Sequence, residues 1–284
     1  MPLLSIEELS NASPIFRGCA GKKFAQSLLR LFRVEKVNQL YDNNYQYKGP
    51  EFASHMLQDI GVDYQVGGLE NLNNLPEGAF ITISNHPYGS IDGIILVDLF
   101  AHINPDFKVM VNNFLSRIEP LNENFIAVTP TGKRREAATK ESIAGVRNAI
   151  KQLKDGKPLG IFPSGAVSDL SLKEGCIRDR EWQEAIIRLI KKARVPIVPV
   201  RFFDGNSKFY YNLGLIDWKV RLLRLPSEVF NKRGKEVRVG IGSPILPQEQ
   251  EGYSDINDYR TFLRESVYKM ELPTDFEFIS KIRP

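Results

Sequence analysis

Between Ala79 and Phe100 the chain reads AFITISNHPYGSIDGIILVDLF: a short β-branched and aromatic run, a polar turn, then a helix apolar almost all the way round. A strand of that composition belongs near the middle of a sheet. Pro87 and Gly89 stop it, and Ser90 or Asp92 is placed to cap the helix that follows. With Ile91, Ile94, Ile95, Leu96, Val97, Leu99 and Phe100 on nearly every side, the helix has to be covered. It is therefore expected to pack deeply against the sheet.

This geometry puts His86 and Asp92 in one cleft, where the strand ends and the helix begins. An imidazole titrates close to neutral pH, and a carboxylate on its other ring nitrogen fixes tautomer and orientation. No side-chain nucleophile lies between them, so the histidine is expected to take a proton from a substrate's own hydroxyl or amine. The amides at the helix N-terminus could also receive an anion.

The stretch SNHPYGSIDG resembles the first motif of the glycerolipid (lysophospholipid) acyltransferases, in which Asn-His precedes a spacer and an aspartate. The family spacer is usually four residues, and here Pro87 to Ile91 makes five. The form Asn-His-Pro-x-Gly-x-x-Asp-Gly is similar to a divergent, haemolysin-like bacterial branch that includes relatives acylating amino-acid lipids. One extra loop residue can be absorbed as a bulge. The resemblance implies a glycerol-3-phosphate acyltransferase-like α/β fold, a mixed, largely parallel sheet flanked by helices behind an N-terminal helical hairpin. It also implies catalytic roles for His86 and Asp92, with Asn85, Gly89 and Ser90 beside the substrate.

With 284 residues and 42% hydrophobic content, the chain is long enough for one large core. It is expected to form a single domain over 1–284, with 1–61 as a helical lead-in. The formal charge of +4 suits an anionic membrane surface or a phosphate-bearing substrate without specifying either. No nucleic-acid signature accompanies it. Cys19 and Cys176 have no CxxC spacing and read as ordinary buried or semi-buried thiols of a reducing cytosol. The N-terminus lacks the pattern of a signal peptide, and no apolar run approaches the roughly 20 residues that span a bilayer. The expected location is cytoplasmic and peripheral, on the inner face of the cell membrane.

Lys22 to Tyr47 has apolar residues at helical spacing and a basic first half, so it reads as one amphipathic helix. Its apolar face either packs on the domain or rests on anionic lipid, and one helix can do both. A second helix is expected over Glu51 to Ile60, and a first strand over Val62 to Val66. His55 and His102 have no ligand cluster around them and read as packed or solvated side chains, not metal ligands.

Three later segments continue the resemblance in order. The strand Phe125–Val128 leads into Lys133, Arg134 and Arg135, which substitute by location for the family's second-motif arginine. They are candidates for a substrate phosphate or carboxylate, or else form a solvated patch. Phe162-Pro163-Ser164-Gly165 resembles the third motif, Phe-Pro-Glu-Gly, with Ser164 where the glutamate is expected. Ser168 or Asp169 could supply the missing polarity. Val195 to Val200 resembles the fourth, and its two prolines predict an edge position or an irregular wall. Leu170 to Arg180 reads as a loop over the cleft with Arg178 and Arg180 reaching for an anion. The aromatic run Arg201–Tyr211 either lines an acyl channel or completes a core. Lys219 to Arg224, with Leu222, Leu223 and Leu225, reads as a second basic-apolar patch, and the tail from Leu272 as irregular.

The reading that follows is an acyltransferase. A fatty-acyl thioester, acyl-CoA or acyl carrier protein, is the co-substrate, and no metal or bound cofactor is needed. The acceptor is a lysophospholipid or glycerol-phosphate hydroxyl, or an amino acid or amino-acid lipid. A non-catalytic lipid-binding protein on the same scaffold is the alternative, and a hydrolase would need a nucleophile that Ser90 is poorly placed to provide.

Overall fold

In the computed structural model the described residues are 33–128, 140–216 and 218–283, with isolated positions 18, 23, 26, 27 and 30. The apolar runs form strands β1 (Gln65–Gly67), β2 (Ile81–Ser84), β3 (Lys108–Asn112), β4 (Phe125–Val128), β5 (Leu159–Ile161), β6 (Asp169–Ser171), β7 (Cys176–Arg178), β8 (Ile197–Phe202), β9 (Arg238–Ile241) and β10 (Glu277–Phe278). The first helices are α1 (Val34–Asn44), α2 (Gly49–Ile60), α3 (Leu69–Asn73), α4 (Ile91–Ile103), α5 (Lys140–Lys154) and α6 (Glu184–Ala193). They are followed by α7 (Lys208–Ile216), α8 (Trp218–Phe230), α9 (Pro247–Glu251), α10 (Ile256–Tyr268) and α11 (Ile279–Ile282).

Eight strands make one sheet in the order β10-β1-β9-β8-β2-β5-β3-β4, and β6 and β7 pair as a separate hairpin. Strands β8, β2, β5, β3 and β4 run parallel, while β9 is antiparallel to β8 and β10 to β1. The period of two splits the side chains between two cores. Ile81, Ile83, Leu159 and Ile161 face α5, α6 and α10, whereas Val198, Val200 and Phe202 face α2 and α4. Helix α4 is buried as its composition requires, with Ile91, Ile95, Leu96, Val97, Leu99 and Phe100 at most 1% exposed. Each such side chain contributes about 1.5–3 kcal/mol of burial.

Several elements depart from the sequence reading. Strand β8 is central, between β2 and β9, although it contains Pro199. Pro199 lies opposite Gly242, one residue beyond the end of β9, and its carbonyl accepts from the Gly242 amide at 2.8 Å. The missing amide therefore falls where that ladder ends. Pairing resumes at Ile197 and Ile245, so Ser243 and Pro244 oppose Val198 alone, as in a bulge. The first strand is Gln65–Gly67, displaced toward its partners in β9 and β10. The C-terminal tail supplies β10 and α11. A continuous helix across residues 22–47 is excluded, because Arg33 stands in the left-handed region at φ 59° and α1 begins after it. Cys176 is exposed on β7, and Cys19 lies outside the described residues.

Candidate active site

Strand β2 delivers Asn85 and His86 to the carboxyl edge of the parallel strands, the edge at which open α/β sheets place ligands. Asn85 is held there by the sheet. Its Nδ2 donates to the Phe202 carbonyl at 2.9 Å, and its Oδ1 accepts from the Phe202 amide at 2.8 Å. The amide side chain extends the β2–β8 ladder by one rung and faces backbone, so it is a fixture of the strand end and is not directed at a substrate.

The five-residue spacer folds back on the aspartate. Asp92 Oδ2 accepts from the amides of Tyr88 and Gly89, both at 3.1 Å, and Oδ1 accepts from Gly93 N at 3.2 Å. Ser90 occupies the N-cap position of α4 without a side-chain bond, and the aspartate carboxylate satisfies the loop amides in its place. The loop turns at Gly89, whose φ of 72° suits glycine; a Cβ there would sit 2.4 Å from Val167 Cγ2.

Asp92 reaches His86 across this loop. His86 Nδ1 lies 2.7 Å from Asp92 Oδ2, with the histidine side chain 18% exposed and the aspartate fully buried. The approach is short but bent away from the ring N–H direction, so it is an ion-pair contact and not a well-aligned hydrogen bond. Catalytic hydrogen bonds are often loose before substrate tightens them. Burial pulls the His86 pKa down, but the Asp92 charge, its close polar contact with the ring and then the Asp179 charge outweigh it, leaving the imidazole above its ordinary value.

Asp179 is a site residue that no sequence pattern revealed. It is buried, and its Oδ1 accepts from the His86 amide at 3.1 Å and from Ser168 Oγ at 2.6 Å, while Oδ2 accepts from Trp182 Nε1 at 3.1 Å. Burial raises its carboxyl pKa, opposed by those donors and by His86. The Ser168 amide donates to the His86 carbonyl at 2.9 Å, so both main-chain groups of the histidine are anchored by one segment. On the other side, Asn206 Nδ2 donates to the Tyr88 carbonyl at 2.9 Å and Tyr211 OH to the Pro87 carbonyl at 2.8 Å.

Of the third-motif candidates, Phe162 stands closest, its ring centroid 4.2 Å from that of His86. Pro163 accepts from the Gln183 amide, and Gly165 makes a tight turn at φ 61°. Ser164 is buried and donates to the Ala166 carbonyl at 2.7 Å, so its hydroxyl stabilises that turn. Lys133, Arg134 and Arg135 lie outside the described residues. The segment 170–180 is no plain loop but the β6–β7 hairpin, and its arginines are engaged: Arg178 with Glu174 at 3.0 Å, and Arg180 with Asp169. His55 stacks on Tyr47, and His102 sits by Asp98 and Glu51. Among the described residues, no group of three His, Cys, Asp or Glu side chains is arranged to hold a metal ion.

This arrangement is a histidine whose Nδ1 is backed by a buried carboxylate, the geometry that acid–base chemistry at an imidazole requires. A family profile described as "Acyltransferase" matches residues 11–275. The chain is 28% identical to a lyso-glycine lipid O-acyltransferase of Bacteroides thetaiotaomicron, over 87% of this chain and 90% of that one. It is 26% identical to a lyso-glycine lipid O-acyltransferase of Phocaeicola vulgatus, over 92% and 95%. The crystal structure of PlsC, the 1-acyl-sn-glycerophosphate (LPA) acyltransferase of Thermotoga maritima, superposes with a TM-score of 0.48 at 18% identity, covering 87% of this chain and 95% of that one. Since the profile spans nearly the whole sequence, including the strand, turn and helix that carry His86 and Asp92, the chain belongs to the acyltransferase family.

Proposed function

We propose that this protein transfers a fatty-acyl group from a thioester donor, acyl-CoA or acyl carrier protein, to the hydroxyl of a lyso-lipid at the inner face of the cell membrane. The carrying observation is the His86–Asp92 pair, 2.7 Å apart at the end of β2. His86 Nε2 takes the acceptor's hydroxyl proton as the oxygen attacks the thioester carbonyl. The C–O bond forms, the C–S bond breaks, and the proton leaves with the thiol. Asp92 orients the ring and stabilises the transient imidazolium. Phe162 walls the imidazole on its apolar side.

For the acceptor, we favour a lyso-amino-acid lipid. Both relatives matched over about nine-tenths of their length carry that activity in their names. Ser164 stands where the third motif usually has glutamate, and its hydroxyl is turned into its own loop. A phosphate-bearing acceptor is the second reading, favoured by a 26% identity over 54% of this chain to a 1-acyl-sn-glycerol-3-phosphate acyltransferase of Borreliella burgdorferi.

Both acceptors belong in one assay. The protein is incubated with labelled acyl-CoA or acyl carrier protein and a panel of lyso-glycine lipid, other lyso-amino-acid lipids and lysophosphatidate, with products read by mass spectrometry. The expected product is the O-acylated amino-acid lipid, absent with His86→Ala at unchanged circular dichroism. Equal turnover by that variant would refute the mechanism.

A further inference from the structure

One surface beside the cleft is more apolar than a water-facing surface needs to be. Of the fourteen large hydrophobic side chains exposed among the described residues, six fall between Phe209 and Leu223, on the helical hairpin of α7 and α8. Ile216 is 82% exposed, Trp218 54% and Leu215 49%, all at the turn between the helices. Leu172, 75% exposed, adds to them from the neighbouring β6–β7 hairpin. Isolated exposed apolar residues need no explanation, but a cluster of this kind does.

The inner face of the same hairpin is fully packed, so the exposure is not a sign of a loosely built element. Tyr210 and Tyr211 are buried. Arg221, 3% exposed, pairs with Asp169, donates to the Ser168 carbonyl at 3.1 Å and lies over the Tyr210 ring at 5.3 Å. Leu225 packs beside Val167, the residue against which Gly89 closes. The lobe is thus rigidly joined to the segment that holds His86, while its outer tip is apolar.

Charge selects the occupant. Residues 208–224, KFYYNLGLIDWKVRLLR, carry four basic residues and one acidic one, and of the four Arg221 is spent on the buried pair with Asp169. Lys208 is exposed at the start of α7, and Lys173 is exposed beside Leu172. Arg224 covers the Phe209 ring at 5.4 Å. An aliphatic tip, a tryptophan at its shoulder and flanking cations match the interface of a bilayer carrying anionic headgroups.

From these observations we infer that the α7–α8 hairpin, with the β6–β7 turn, is the surface that seats this protein on an anionic lipid bilayer, its tip entering the acyl-chain boundary beside the catalytic cleft. The inference rests on the acyl-transfer reading above, since a lyso-lipid acceptor would reach His86 from that side.

The chain has a built-in reporter. Of its two tryptophans, Trp182 is fully buried, so a change in emission on lipid binding reports Trp218. The full chain is titrated with vesicles of phosphatidylcholine and phosphatidylglycerol at low salt, with and without brominated acyl chains. The expected result is a blue shift, quenching by the brominated lipid, and co-sedimentation. The double variant Leu215→Glu/Ile216→Glu should bind at least tenfold more weakly at an unchanged melting temperature. Ile103→Glu, at the far end of α4 and as exposed as Leu215, should bind like the parent. Unquenched emission, or full binding by the double variant, overturns the proposal. So does a lipid-free dimer that the double variant converts to monomer, which would make the tip a self-association face. No vesicle binding by the parent chain, with intact His86-dependent acyl transfer, rejects the docking surface alone, and quenching without any transfer rejects the catalytic reading alone.

Discussion

Replacing Asp92 by asparagine tests the site most sharply, because it removes one charge at almost constant volume. Taken as point charges 2.7 Å apart, an imidazolium and a carboxylate attract by about 6 kcal/mol at an effective dielectric constant of roughly 20. The cost of desolvating the buried pair offsets part of that figure. We expect kcat to fall by about 10³- to 10⁴-fold, or about 4–5.5 kcal/mol of barrier. The asparagine oxygen can keep the two amides of Tyr88 and Gly89, which leaves its NH₂ against the Gly93 amide. One such mismatch costs about 1–3 kcal/mol of stability. The pH profile gives an independent readout. His86 acts as a base when neutral, so kcat/KM rises with pH through its raised pKa, and the acid limb of the parent lies above 6.5. Without the Asp92 charge, burial dominates and the limb moves to lower pH. The assay is initial-rate acyl transfer from pH 5 to 9, with thermal denaturation as the folding control. Turnover within tenfold of the parent, or an acid limb that stays in place, would refute the role assigned to Asp92.

Other perturbations probe the supports of the site. Asp179→Asn should move the acid limb in the same direction by less than Asp92→Asn, because the Asp179 charge is the weaker influence on His86; an unmoved limb would mean that Asp179 only anchors the backbone. Gly89→Ala should destabilise by about 3 kcal/mol, combining left-handed strain with the Val167 overlap, and Val167→Ala should restore only the second part in a denaturation series. Lys232 is buried under the Tyr88 ring beside Glu228, and burial lowers its pKa to about 8 from 10.5. Its folded form releases the proton first, so stability relative to Lys232→Met should rise by about 3 kcal/mol between pH 8 and 10.5, and a flat difference in urea melts across that window would exclude a lowered pKa.

What the sequence determined by itself was local. The strand, turn and helix from Ala79 to Phe100 are legible because β-branched composition, Pro87, Gly89 and an all-apolar helix each act within a few residues, and together they place His86 and Asp92 at one strand end. Tertiary structure alone decided what surrounds them. Asp179 meets the His86 amide across 93 residues and Asn85 meets Phe202 across 117, and hydrogen bonds between such distant positions leave no periodicity to read. Proline was a misleading guide for the same reason. Its missing amide matters only where a neighbouring strand would have used it, and at Pro199 strand β9 has already ended. Ser164, which stands where the resembling motif has glutamate, is bonded within its own turn, and only the folded loop shows this. The chemistry of the pair is thus written in a short motif, while its electrostatic setting is made by residues that only the folded sheet brings alongside.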